Sequence, residues 1–196
     1  MAHVKIGVLS LQGAVSEHVG AVKAAFKESS LEGSVINIKT ESDLNNIHGL
    51  IIPGGESTTI GKVSKAKNLL DKIFQMGGDK LPILGTCAGA ILLAKEVSDV
   101  KIGIPNQPLL GLMNIKVTRN SFGRQRESFE QEIDIPILGK KPFLGVFIRA
   151  PIIDQICGDV EVLAKYEGKI VAAKQGNIVV TSFHPELAND LRFHQY

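Results

Sequence analysis

The chain has 196 residues, 44% of them hydrophobic and 21% charged, with 20 glycines, no tryptophan and a net charge of +2. That length suits a single domain over residues 1–196 with one large core, and a charge so near neutral argues against a nucleic-acid partner. No apolar run is long enough to span a membrane and no signal peptide is visible, so a soluble, cytoplasmic protein is expected.

Strand-like and helix-like segments alternate through the first half. Residues 4–11 are apolar and β-branched, the composition of a strand buried on both faces. Residues 15–26 carry Val15, Val19, Val22 and Phe26 at helical spacing. Residues 35–38 and 50–52 read as strands, the second ending in Pro53-Gly54-Gly55. Residues 57–74 are expected to be helical in their later part, where Leu69, Leu70 and Ile73 share a side. Residues 81–84 form a fourth strand, and residues 90–96 a helix-like run after it. This order predicts a parallel sheet in a three-layer α/β fold, with helices on both faces.

Residues 98–108 read as a loop. Beyond it, strands are expected at residues 112–118, 142–148, 160–166, 169–174 and 178–183, with turns at Glu167-Gly168 and Gly176-Asn177. The C-terminal half should therefore be more antiparallel. Residues 189–196 allow two helical turns at most.

Between the fourth strand and its helix lies Gly85-Thr86-Cys87-Ala88-Gly89. A cysteine flanked by small residues at a strand-to-helix turn has the form of a nucleophile elbow. The helix N-terminus behind it favours thiolate over thiol. In open α/β sheets, sites gather at the carboxyl ends of the strands. Gln12-Gly13, residues 53–57, the elbow and residues 179–186 all fall there.

A cysteine nucleophile needs a base and an orienter for the base. His3 and His194 lie near the termini, His18 lies on a helix, and His48 precedes its strand at the wrong sheet end. His184 alone follows a strong β run, and Glu186 stands two residues on, able to fold back onto its imidazole. Gly54 and Gly55, with the N–H of Ala88, offer backbone donors for an oxyanion hole, each worth about 3–4 kcal/mol of transition-state stabilisation. Residues 55–62 approach a P-loop, but the glycine spacing is one residue too long and Val63 replaces the magnesium-binding hydroxyl, so nucleotide binding is rejected. No C-x-x-C pair supports a metal or redox site, no cofactor is implied, and Cys157 lacks any elbow and reads as a bystander.

The Gly-x-Cys-x-Gly elbow with a late His-x-Glu resembles the class I (triad) glutamine amidotransferases. Further segments are similar to the glutaminase subunits of pyridoxal 5′-phosphate synthase, the PdxT/Pdx2 family. They are Leu11-Gln12-Gly13-Ala14-Val15 with Glu17-His18, residues 53–59, Arg119-Asn120-Ser121-Phe122-Gly123-Arg124-Gln125, Phe147-Ile148-Arg149-Ala150-Pro151, Ala172-Ala173-Lys174-Gln175-Gly176 and residues 182–187. The resemblance implies hydrolysis of L-glutamine to glutamate and ammonia, within a heteromeric complex whose PdxS/Pdx1-type synthase subunit uses the ammonia. It matches Cys87 to the nucleophile, His184 to the base and Glu186 to its orienter. Gly55, Glu56, Ser57, Arg119, Ile148 and Arg149 match glutamine-binding positions. Arg119 is expected to meet the substrate α-carboxylate, and Glu56 the α-ammonium. Family members commonly continue into a longer final helix than this chain provides. The elbow alone also fits a glutaminase for another synthase, such as imidazole glycerol phosphate synthase, or a cysteine peptidase or chaperone, and a purely interacting subunit is a fourth reading.

Overall fold

The computed structural model describes residues 3–121 and 128–196. Residues 122–125 of the Arg119–Gln125 motif lie outside these. Strands β1 (Val4–Leu9), β2 (Gly33–Ile38), β3 (Gly49–Ile52) and β4 (Ile83–Thr86) pair in parallel in the order β2-β1-β3-β4. Their near-continuous apolar sequence follows from burial on both faces. Within β3, Leu50 and Ile52 enter one core with Leu9, Ile60, Leu69 and Leu92, while Ile51 enters another with Val8 and Val22. Helix α1 (Val15–Glu28) covers the second core; α2 (Ser57–Ala66), α3 (Leu69–Gly78) and α4 (Ala88–Leu93) cover the first.

In the first half and the loop after it, local structure departs from expectation in three places. Residues 57–74 are helical from Ser57 onward and divide into two helices at Asn68, whose φ of 59° cannot continue a helix. Helix α4 stops at Leu93, and Ala94–Asp99 form strand β5 rather than more helix. Pairing with β6 (Met113–Arg119) overrides the helix preference of Ala94, Lys95 and Glu96. The expected loop over residues 98–108 thus begins inside a strand.

The C-terminal half is largely antiparallel, with β9 (Ile152–Ile156), β10 (Glu161–Tyr166), β11 (Lys169–Gln175) and β12 (Ile178–Thr181) in the same ten-stranded sheet. Strand β9 was not expected; its five residues follow Pro151 and alternate too weakly to stand out. Strand β8 (Phe143–Ile148) leaves the main sheet and pairs with β7 (Ser128–Ile133), a second unexpected strand, in a separate antiparallel ribbon. Phe143, Phe147, Phe183 and Phe193 fill the core beneath the ribbon. Phe193 belongs to α5 (Arg192–Gln195), a single turn, and Arg192 fastens it by donating to the carbonyls of Leu138, Lys141 and Pro142.

One feature of the topology positions the site. The last strand, β12, inserts beside β4 and runs parallel to it, with Thr181 opposite Thr86. The chain therefore leaves two adjacent strands at the same level, into the elbow on one side and toward His184 on the other.

Candidate active site

Cys87 has φ 48° and ψ −100°, a conformation L-residues rarely adopt, as an elbow requires. Its N–H donates to the carbonyl of Thr181 at 2.8 Å, which fixes the turn to β12. The flanking glycines have steric reasons. A Cβ on Gly89 would stand 2.1 Å from the Ile52 carbonyl oxygen, and one on Gly85 would meet Leu93 at 2.5 Å. Helix α4 can approach β3 and β4 only without those side chains.

His184 follows β12 through Ser182 and Phe183, and its N–H donates to the Val146 carbonyl at 2.8 Å, so the β7–β8 ribbon holds it in place. Its Nδ1 lies 2.7 Å from Glu186 Oε1, with both residues buried. Burial lowers the affinity of this imidazole for a proton. Hydrogen bonds to Cys87 and Glu186, and their charges, outweigh that and raise its pKa to about 10. A Cβ built on Gly54 would sit 2.3 Å from His184 Cε1 and 3.3 Å from Cys87 Cβ. The three residues thus abut one another.

The Gly54-Gly55 loop is laced to its surroundings. The Gly54 N–H donates to Thr86 Oγ1 (3.0 Å), and its carbonyl accepts from the Ala14 N–H (3.0 Å). Gln12 Oε1 accepts from the Glu56 N–H (2.8 Å), and a Cβ on Gly13 would overlap the Gly54 carbonyl. The Gln12-Gly13 loop therefore backs the Gly54 loop directly.

A pocket of about 240 Å³ opens over Cys87 and His184. It brings together Gly55, Glu56, Ser57, Arg119, Ile148 and Arg149, and adds Gln12, Ile91, Asn120 and Pro151. Gly54, Ala88 and Glu186 lie outside its lining; Ala88 and Glu186 are buried behind it. Arg149 carries a positive φ of 45°, a further strained position at the pocket rim. A larger, mainly apolar pocket of about 320 Å³ lies where β1, β3 and β4 begin; it holds none of Cys87, His184 or Glu186.

Arg119 is gripped from several sides. It pairs with Asp99 (3.3 Å) and Glu56 (3.6 Å), and donates to Gln107 Oε1 (2.9 Å) and Thr58 Oγ1 (3.1 Å). Glu56 also caps α2, accepting from the N–H groups of Thr58 and Thr59. Burial pushes its carboxyl pKa upward, but these hydrogen bonds hold it below the usual range. Asp99 and Gln107 were missed because both fall in residues 98–108, which carry no motif.

The histidine on α1 was also passed over. His18 is fully buried, with Nε2 3.1 Å from Thr86 Oγ1 and 3.3 Å from Glu186 Oε2. The pair Glu17-His18 is part of the resemblance, but no local signal links a helical histidine to the distant Glu186. His48 accepts from the Lys5 N–H at the opposite sheet end, as its position before β3 implied. Cys87 and Cys157 are both free thiols. Among the described residues no cluster could hold a metal ion, and no helix is long and apolar enough to cross a membrane.

A ten-stranded α/β sheet that presents an elbow cysteine beside a histidine–carboxylate pair defines a class of cysteine hydrolase-like sites. Within it, the chain belongs to the SNO glutamine amidotransferase family, whose model matches residues 8–196. It is 50% identical over 192 residues to the pyridoxal 5′-phosphate synthase subunit PdxT of Saccharolobus solfataricus, covering 98% of this chain and 96% of that one. The PdxT of Methanosarcina mazei gives the same identity and coverage. A crystal structure of a glutamine amidotransferase superposes with a TM-score of 0.85 at 43% identity, over 97% of this chain and 95% of that one. A Thermotoga maritima glutamine amidotransferase, at 16% identity and a TM-score of 0.61 over 95% and 77%, shares the fold.

Proposed function

We propose that the protein hydrolyses L-glutamine to L-glutamate and ammonia, as the glutaminase subunit of a pyridoxal 5′-phosphate synthase. The observation that carries this reading is the buried His184–Glu186 pair beside the strained Cys87, on a chain half identical throughout its length to subunits named PdxT.

The chemistry runs as follows. The Cys87 thiolate attacks the side-chain amide carbon of glutamine, and a tetrahedral oxyanion forms. The N–H groups of Gly55 and Ala88 stabilise that oxygen. Gly54 contributes differently: its N–H is committed to Thr86, and its missing side chain lets Cys87 and His184 meet. Imidazolium His184 gives its proton to the leaving nitrogen, and ammonia departs from a glutamyl thioester. His184 then takes a proton from water, whose oxygen attacks the thioester and frees glutamate and the thiol. Glu186 keeps the Nδ1 proton in place and stabilises the imidazolium. Arg119 meets the α-carboxylate and Glu56 the α-ammonium, with Ser57, Ile148 and Arg149 closing the pocket.

The ammonia passes to a synthase partner of the PdxS/Pdx1 type in a heteromeric complex, where it joins a pentose phosphate and a triose phosphate. Direct transfer avoids protonation and escape of the ammonia. The free catalytic thiol suits the reducing cytoplasm. Steady-state glutaminase assays with the synthase subunit test the substrate assignment: Arg119→Ala raises the glutamine KM, and an unchanged KM removes Arg119 from the site.

A further inference from the structure

His18, which is fully buried, and His194, which is part-buried, are titratable groups that the chemistry above leaves unused. His18 Nδ1 lies 3.0 Å from His194 Nε2, and the rings stand 5.3 Å apart. On its other side, His18 Nε2 is 3.3 Å from Glu186 Oε2 and 3.1 Å from Thr86 Oγ1. Glu186 therefore sits between two imidazoles, with Oε1 on His184 and Oε2 facing His18. Oε2 is buried and accepts no hydrogen bond among the described residues, although His18 Nε2 stands 3.3 Å away.

The positions of the protons follow from these neighbours. A lone pair on His18 Nε2 would oppose the carboxylate oxygen, so Nε2 carries the proton and Nδ1 is left to accept. His194 Nε2–H is the donor to it, which leaves His194 Nδ1 bare, in keeping with its having no hydrogen-bond partner among the described residues. The groups facing His18 are His194 from α5, Glu186 and His184 from the segment after β12, and the Thr86 hydroxyl from β4. Burial, then the charges of His194 and His184, hold the His18 pKa well below its usual value, and burial takes His194 down to about 4. Both rings are neutral at physiological pH. His18 thus keeps a fixed N–H on Thr86 Oγ1 and within 3.3 Å of Glu186 Oε2, without competing with His184 for its charge.

We propose that His18, oriented by His194, is a positioning residue of the active site: its Nε2–H holds Glu186 against His184 and, through Thr86, ties that carboxylate to the Gly54 loop. The inference rests on the reading of Cys87, His184 and Glu186 as a triad. Without the donor, Glu186 is free to rotate, and His184 no longer keeps a nitrogen on the sulfur. Outer partners that orient the ligands of metal sites change affinity or activity by about 10–100-fold, and an effect of that order is expected here.

The test uses a Cys157→Ser background, which leaves Cys87 as the one thiol of this chain, with ammonia release assayed in complex with the synthase subunit and Cys87 alkylation read on this chain. His18→Leu keeps bulk and removes the donor. It lowers kcat for glutamine about 10–100-fold, with KM within about twofold. Alkylation of Cys87 by iodoacetamide falls about tenfold near pH 7 yet matches the background near pH 10, where the thiol ionises without help from His184. His18→Gln, whose amide N–H reaches the Nε2 position, restores most of both rates. His18→Asn, which reaches only the Nδ1 position, does not. The Gln and Asn pair carries the comparison if the leucine variant fails to fold. Background rates in His18→Leu, equal rates for Gln and Asn, or an equal loss of alkylation at both pH values would overturn the proposal. A background protein that releases no ammonia but shows the expected alkylation pattern would remove the glutaminase reading and leave the positioning role standing.

Discussion

Cys87 is held at a positive φ by glycines that its neighbours cannot tolerate as anything larger. Gly54 is the most exacting of the nearby positions, because its Cα faces both Cys87 and His184. Gly54→Ala is expected to push His184 aside and lower kcat by at least about 10²-fold, a loss comparable to removing an oxyanion donor. A kcat within threefold of wild type, on the order of experimental scatter, would mean that the loop gives way without consequence. His184 also ties stability to pH. Its pKa is near 6.5 when unfolded and about 10 in the fold, so the folded state binds more protons between those values. Its contribution is fully present below pH 6.5 and is lost as pH rises through about 10. Urea midpoints taken across that window should fall for wild type and flatten in His184→Gln. At this scale the grouping of Cys87, His184 and Glu186 was legible, because a five-residue elbow and a His-x-Glu are local patterns. His18, Asp99 and Gln107 were not, because their partners come from distant elements.

The strand and helix assignments failed where tertiary pairing overrode local preference. Ala94, Lys95 and Glu96 favour helix alone but extend as β5 because β6 offers a parallel edge. The β7–β8 ribbon was invisible as a separate sheet, since the sequence of a strand does not say which sheet it joins. Short elements nonetheless carry weight. Helix α5 is one turn long, yet Phe193 packs edge-on against Phe143 at 5.0 Å, and His194 reaches His18. Phe193→Ala is expected to cost about 3–5 kcal/mol by chemical denaturation. The same region sets acid sensitivity. His194 must stay neutral in the fold, with a pKa of about 4 against 6.5 unfolded, so stability falls as pH drops through that interval. His194→Leu should lessen the slope, whereas an unchanged slope would assign the acid limb to other groups.

Over the whole molecule, the parallel first half and antiparallel second half meet at β4 and β12, the seam that carries Cys87 and His184. The alternation of elements predicted the three layers and the mixed second half. It could not predict that the last strand returns to the centre of the sheet, because the order of strands is fixed by packing rather than by local sequence. That return makes the site: two strand ends at one level deliver Cys87 and His184 to one pocket. The same carboxyl-end face bears the Gln12-Gly13 and Gly54-Gly55 loops, where docking of a synthase would act on the proposed oxyanion donors of Gly55 and Ala88. Glutamine hydrolysis is accordingly expected to rise when the partner is added, and equal rates with and without it would remove that coupling. The most direct test of the central claim is ammonia release from L-glutamine by the chain together with its synthase subunit, wild type beside Cys87→Ala. Wild type should turn over, and the variant should lose at least about 10³-fold in kcat. A Cys87→Ala protein that folds, binds the synthase and still releases ammonia at the wild-type rate would contradict the account.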